Sequence, residues 1–172
     1  GNGALTSAIC SHDGGAKTLV IEKSTQFGGT SATSGGGVWI PNNRYAKAEN
    51  VDDSDQDARD YINSVSPEGQ IKDELVETYL SEGPKMIDYL HENSQVKYRN
   101  LAHYPDYFPD NPGGKAGNRS MEPEPIKGTE LGDDLGKLRE QHPQTAFTMG
   151  PINMNFTQVE GQLLLGALPG WK

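Results

Sequence analysis

Residues 17–43 read KTLVIEKSTQFGGTSATSGGGVWIPNN, and the order of parts in this stretch decides the fold class. Thr18-Leu19-Val20-Ile21 is too short an apolar run for a helix. It is rich in β-branched residues, the pattern of a strand covered on both faces. Glu22 follows at once, at the carboxyl edge of the expected sheet, where open α/β sheets bind their ligands. A carboxylate there accepts hydrogen bonds from both hydroxyls of an adenosine ribose; the alternative is a solvated charge that ends a strand. Two glycine clusters laced with hydroxyls come next, Gly28-Gly29-Thr30-Ser31 and Ser34-Gly35-Gly36-Gly37. A nicotinamide site does not need such a segment straight after the acid, whereas a flavin site often has one. Hydroxyls and free amides serve a pyrophosphate and a ribityl chain, and a backbone without side chains lets a flat ring stack closely. A flexible glycine-serine linker is the alternative. Against it, Val38-Trp39-Ile40 follows immediately and is too apolar to leave in water.

Upstream, the chain opens Gly1-Asn2-Gly3-Ala4-Leu5-Thr6-Ser7-Ala8-Ile9-Cys10. Small residues fill the first turn and apolar ones then recur at helical spacing, which matches a turn-then-helix that receives a pyrophosphate. Glycines let the backbone approach the phosphates, while the helix N-terminus presents unpaired N–H groups and a partial positive charge. Glu22 stands 21 residues after Gly1, close to the spacing of about 20 for a ribose-binding acid.

These residues resemble the flavoproteins of the fumarate reductase/succinate dehydrogenase superfamily, most closely the 3-oxosteroid 1-dehydrogenase (3-ketosteroid dehydrogenase) group. The segments that carry the resemblance are Gly1 to Thr6, Glu22-Lys23-Ser24, Phe27 to Ala32, Ser34 to Asn43, and Tyr104-Pro105-Asp106-Tyr107-Phe108. In that alignment Gly1 is the second glycine of Gly-x-Gly-x-x-Ala and Ala4 takes the third place. The resemblance implies FAD as cofactor, held non-covalently by Gly1, Gly3, Ala4, Glu22, Lys23, Gly28, Gly29, Thr30, Ser31, Ser34, Gly35, Gly36 and Gly37. The family's covalent branch tethers flavin through a histidine, and the first 43 residues offer only His12, at the far end of the opening helix. The fold implied is α/β, a partial Rossmann-like FAD-binding domain of the glutathione-reductase type, followed by a helical and loop-rich insertion. Residues 1–43 are expected to form the nucleotide-binding core, and residues 44–172 a helical and irregular segment that covers the active site.

The resemblance runs from end to end of the chain but covers only about the first third of a typical member. The chain lacks an initiator Met and starts inside a phosphate-binding turn, so the first strand of the sheet is expected to be missing. Leu168-Pro169-Gly170-Trp171-Lys172 ends it without the strands that finish a doubly wound sheet. The expectation is therefore an N-terminal fragment, half of a domain, inactive by itself. Its hydrophobic fraction is 33%, Gly and Pro number 21 and 11, and mean hydropathy is −0.71, all of which point to a thin core.

A net charge of −9 argues against nucleic acid, whose phosphates would be repelled. No run approaches the length of a transmembrane helix and no signal peptide is visible, so the expected location is cytoplasmic or membrane-peripheral. Cys10 is the single cysteine and reads as a small packed hydrophobe. His12, His91, His103 and His142 have no metal-ligand spacing, and no metal is expected.

Beyond Asn43 the pattern predicts a helix from an N-cap at Ser54 to about Val65. A second helical stripe is carried by Ile71, Leu75, Val76, Tyr79, Leu80, Met86, Ile87 and Leu90, with Gly83-Pro84 as a kink or a break into two helices. Residues 97–130 hold many prolines and glycines and read as a long irregular segment, of the kind that often serves as a lid. A helix is expected within 130–141 and another within 159–168. In the irregular segment Tyr98, Tyr104, Tyr107 and Phe108 cluster, which by itself reads as the anchoring of a loop. The resemblance singles out Tyr107: a tyrosine at that place lines the active site and hydrogen-bonds the tyrosine that abstracts the substrate proton. Tyr104 is the alternative.

The implied function is 1,2-desaturation of a 3-ketosteroid, with hydride passing to FAD and onward to an electron acceptor. The alternatives are an enoate reductase of the fumarate reductase type and an inactive piece that merely presents a nucleotide-binding fold.

Overall fold

The computed structural model describes residues 1–140 in full and the backbones of 147–149 and 152–154. The chain divides into two compact units, Gly1–Gly36 with Pro125–Lys172, and Gly37–Glu124.

The first unit opens on the expected helix, α1 (Asn2–Asp13), which starts at Gly1 and stops at Gly14. None of its residues is buried. Cys10 is exposed, not packed as its residue type suggested, because α1 has no apolar neighbour laid along that face among the described residues. The expected buried strand over Thr18–Ile21 also does not form. The segment has no regular secondary structure and enters no ladder, and Leu19 and Ile21 are 84% and 85% exposed. A strand is defined by hydrogen bonds to a neighbour, and no described strand lies beside this one. A single turn of helix follows, α2 (Gly29–Ala32), entered through Gly28 at φ 111°. Just before it, Phe27 pairs with the chain near Leu138: its N–H donates to Lys137 O (2.9 Å) and its carbonyl accepts from Arg139 N–H (2.9 Å). The helix expected within 130–141 is instead a 3-10 segment, Gly128–Lys137, broken at Gly132 (φ 53°).

The second unit carries a three-stranded antiparallel sheet of β1 (Val38–Trp39), β2 (Tyr98–Asn100) and β3 (Ser120–Pro123), with β3 in the middle. Val38 faces Met121 across one ladder, and Arg99 faces Glu122 across the other. Two of these strands lie within 97–130, so the stretch read as irregular is partly sheet. Its Gly-Pro content marks the connection between β2 and β3, not the whole segment.

Three helices pack on this sheet. α3 (Arg44–Ala48) is capped by Asn43, whose Oδ1 accepts from Tyr45 N–H (3.0 Å) and Ala46 N–H (2.9 Å). The same fully buried side chain donates to the carbonyls of Ile40 (2.9 Å) and Asn118 (3.0 Å). α4 (Asp55–Val65) has the expected Ser54 cap, with Asp57 N–H donating to Ser54 Oγ (3.0 Å). α5 (Asp73–Asn93) runs through Pro84 as one helix. Burial of Val76, Leu80, Gly83, Ile87 and Leu90 on one side offsets the backbone hydrogen bond that a proline removes. Gly83 lets the helix lie close to Ile40: a Cβ there would sit 3.2 Å from Ile40 Cδ1, a tight contact. The predicted stripe is wider than the buried one: Ile71, Leu75 and Tyr79 are exposed.

Two apolar clusters form the core, one of Ile40, Ile87, Tyr98 and Met121, the other of Ala58, Val76 and Leu80. Tyr98 therefore belongs to the core and not to a loop anchor. No helix among the described residues is long and apolar enough to cross a membrane. The helix expected within 159–168 lies outside the described residues.

Candidate functional site

The glycine segments of the first unit come together at two helix N-termini. α1 begins at Gly1 without a side-chain cap, so the N–H groups of its first turn have no partner within the helix. α2 begins at Gly28-Gly29, also without a side-chain cap. The two are tied by Asn2 N–H, which donates to Ser31 Oγ (3.0 Å). A Cβ on Gly1 would lie 2.8 Å from that same Oγ, so a side chain there would displace the Ser31 hydroxyl. At Gly28 the positive φ and a Cβ position 2.6 Å from Ala32 Cβ exclude any side chain. Gly3 faces the other way, with no atom within 4 Å of where its Cβ would be. The start of α1 and the start of α2 are thus adjacent, with Gly1, Gly3, Ala4 and Thr30 exposed, Gly29 and Ser31 half-buried and Gly28 buried.

The second glycine cluster is a folded turn. Ser34 Oγ donates to Ser31 O (3.1 Å) and accepts from Gly36 N–H (3.1 Å). Gly36 has φ 74°, and Gly35 has open space at its Cβ position. Gly37 opens the second unit. Glu22 and Lys23 are exposed, at the start of a bend that runs to Gln26, and no described hydrogen bond ties Glu22 to either helix N-terminus. Glu22 Oε1 accepts from Ser24 N–H (2.9 Å). That amide holds the carboxyl below the usual carboxylate range, so it is ionised and offers lone pairs at neutral pH. His12 sits in the last turn of α1, at the opposite end from Gly1.

A family comparison gives these features a common meaning. The sequence model of the FAD binding domain matches residues 1–160. The chain belongs to the FAD-binding domain family. The 3-oxosteroid 1-dehydrogenase of Mycolicibacterium smegmatis is 35% identical over 161 residues, which is 92% of this chain and 28% of that protein. The 4-oxocyclohexanecarboxylate 2-dehydrogenase of Sinomonas cyclohexanicum is 35% identical over 149 residues, 87% of this chain and 26% of that protein. The crystal structure of the 3-ketosteroid delta1-dehydrogenase from Sterolibacterium denitrificans, in complex with 1,4-androstadiene-3,17-dione, superposes with a TM-score of 0.88 at 37% identity. That match covers 99% of this chain and 29% of the other. The chain spans little more than a quarter of the length of the relatives it matches.

The residues present fit the family's cofactor. A dinucleotide's pyrophosphate needs unpaired N–H groups and backbone without side chains. Asn2 N–H is taken by Ser31 Oγ, but the N–H groups of Gly3 and Ala4 have no partner within the helix, and the Cβ position of Gly3 is open. The hydroxyl of Ser31 stands beside this turn, on α2.

In the second unit, Tyr107 is 83% exposed and Phe108 58% exposed, whereas Tyr104 is half-buried. What the sequence did not signal is the group directly beneath them. Arg119, 1% exposed, donates from Nη1 to Asp106 Oδ2 (2.9 Å) and from Nη2 to Asp53 Oδ1 (2.8 Å). Its guanidinium lies 5.5 Å from the Trp39 ring centroid and 5.8 Å from that of Tyr61. Trp39 Nε1 donates to Asp106 Oδ1 (2.6 Å). A lone Arg in a Gly-Pro-rich stretch and an Asp next to Tyr107 are weak signals in one sequence. Sixty-six residues separate Arg119 from Asp53, a pairing no local pattern announces.

Proposed function

We propose that the whole protein is a flavin-dependent dehydrogenase that introduces the 1,2 double bond of a 3-ketosteroid. The observation that carries this reading is the shared fold with an enzyme whose structure holds a steroid 1,4-diene, on a chain that keeps an uncapped glycine turn for a dinucleotide.

In this reading residues 1–43 carry the cofactor contacts of a Rossmann-like FAD domain, and residues 44–172 those on the substrate side. The first turn of α1, from Gly1 through Gly3 to Ala4, takes the pyrophosphate. Glu22, with Lys23 beside it, accepts hydrogen bonds from the adenosine ribose. Gly28, Gly29, Thr30 and Ser31, then Ser34, Gly35, Gly36 and Gly37, serve the ribityl chain and leave room for the flat ring. The binding is non-covalent, since His12 lies at the wrong end of α1. When bound, FAD supplies a hydride acceptor. Tyr107 donates its hydroxyl hydrogen bond to a phenolate base contributed by another part of the protein. A phenol has a pKa near 10, and a donor beside the phenolate lowers the cost of its charge at neutral pH.

The test uses the full-length protein with androst-4-ene-3,17-dione and an artificial electron acceptor. The expected outcome is a yellow protein that forms the 1,4-diene. Tyr107→Phe should leave FAD content unchanged and remove a hydrogen bond to a charged group, which is worth about 1.5–3 kcal/mol. The rate should therefore fall roughly 10- to 150-fold. Full activity in Tyr107→Phe with loss in Tyr104→Phe would move the role to Tyr104. A second reading, a smaller cyclic ketone as substrate, is favoured by the similarity to a 4-oxocyclohexanecarboxylate dehydrogenase. It predicts turnover of 4-oxocyclohexanecarboxylate in place of the steroid. Stoichiometric FAD with oxidation of neither compound would overturn both readings.

A further inference from the structure

We propose that the buried group of Trp39, Asp106 and Arg119 is a positioning device for Tyr107, an inference that rests on the role given to Tyr107 above. Within this chain the Tyr107 ring is 83% exposed, so no packing among the described residues fixes its direction. The residues on either side of it are fixed instead. Asp106 has both carboxylate oxygens occupied: Oδ1 accepts from Trp39 Nε1–H (2.6 Å), and Oδ2 accepts from Arg119 Nη1–H (2.9 Å) and Lys115 N–H (3.0 Å). Its own N–H donates to Lys115 O (3.0 Å). On the other side, Phe108 N–H donates to Tyr61 Oη (3.3 Å). Trp39 and Tyr61 are also the two rings against the guanidinium of Arg119. The same aromatic pair that holds the buried cation therefore bonds the residue before Tyr107 and the residue after it. Arg119 is anchored in turn by Asp53, which also accepts from Asn42 N–H (3.3 Å) and Ser54 N–H (3.0 Å) at the entrance to α4.

The charge balance supports positioning over simple packing. Two buried carboxylates meet one buried guanidinium. For stability alone, apolar residues of the same volume serve as well or better than buried ion pairs. Directional bonds do what apolar packing cannot: they fix the peptide on which the Tyr107 side chain is mounted, and small displacements of a reacting group are costly in rate.

A double-mutant cycle in the full-length holoprotein tests this. Trp39→Phe keeps a ring against Arg119 and removes the donor to Asp106. We expect kcat to fall about tenfold with KM and FAD content unchanged, and the same substitution to change kcat less than about twofold when Tyr107 is already Phe. Asp106→Asn, a second variant of nearly identical shape, should show the same loss of effect in the Tyr107→Phe background. Equal losses in both backgrounds would mean a general structural role and overturn the proposal, as would unchanged kcat in both single variants. Failure of both variants to yield folded holoprotein would make the group a folding element and also overturn it. If Tyr107→Phe alone leaves kcat untouched, the role of Tyr107 itself is wrong, a result separable from the others.

Discussion

The two units use glycine and charge in opposite ways. In the first, α1 buries no side chain, and Leu19 and Ile21 are largely exposed among the described residues. In the second, α5 buries five residues, and Arg119, Asp53 and Asp106 form a charged group sealed from solvent. Glycine serves there to bring backbone against backbone: a Cβ at Gly113, where φ is 72°, would collide with the Asp57 carbonyl. The contrast is between a unit whose first helix has no apolar partner among the described residues and one whose buried side chains are tied together by directional bonds.

The largest expected effect lies in the second unit. Arg119→Met leaves two buried carboxylates without their cation and should destabilise that unit by about 3–5 kcal/mol. Denaturant unfolding followed by tryptophan fluorescence, with Trp171 replaced by Phe so that within this chain the signal comes from Trp39, checks this; a loss below about 1 kcal/mol would show that the carboxylates simply become protonated or solvated. In the first unit, Glu22→Ala should leave the unfolding midpoint unchanged and weaken FAD about tenfold or more, with little effect on riboflavin, which has no adenosine ribose. Equal losses for both ligands, measured by fluorescence titration, would show that Glu22 does not meet the ribose.

A sharper separation of stability from binding comes at Gly3. Its Cβ position is open and its place is inside a helix. Gly3→Ala should therefore stabilise the protein by up to about 1 kcal/mol while reducing FAD occupancy, if that space is where the pyrophosphate comes close. Higher stability with undiminished FAD content would break the assignment. The smallest effect is expected in alkali. Burial raises the phenol pKa of Tyr98, and the neighbouring Tyr45 adds to the rise. A pKa higher in the folded than in the unfolded state gives stability that is present below the unfolded value of about 10 and is lost as pH climbs through the folded one. Thermal unfolding should shift downward through that window, and less steeply in Tyr98→Phe; identical slopes would show that other groups govern the alkaline limb.

Much of this architecture was legible in residue order. The opening helix that starts at Gly1, the Ser54 cap and the Val76, Leu80, Ile87 and Leu90 part of the α5 stripe arise from short-range chemistry and appear where it places them. The failures share a different cause. Thr18–Ile21 has the composition of a strand but no described neighbour to pair with, Cys10 has the character of a packed residue but nothing described to pack on it, and Pro84 has the character of a helix breaker inside a helix that packing holds together.

Sequence alone determined the candidate ligand chemistry, because backbone freedom at glycine, carboxylate charge and turn hydroxyls are properties of single residues and of their spacing. Tertiary structure decided which buried groups support Tyr107. Arg119 meets Asp53, Asp106 and Trp39 across separations of 66, 13 and 80 positions. Such contacts exist only after β1 and β3 pair and the 101–118 connection closes over α4, and the free energy that makes them specific is that of desolvating charges together, which no segment carries by itself.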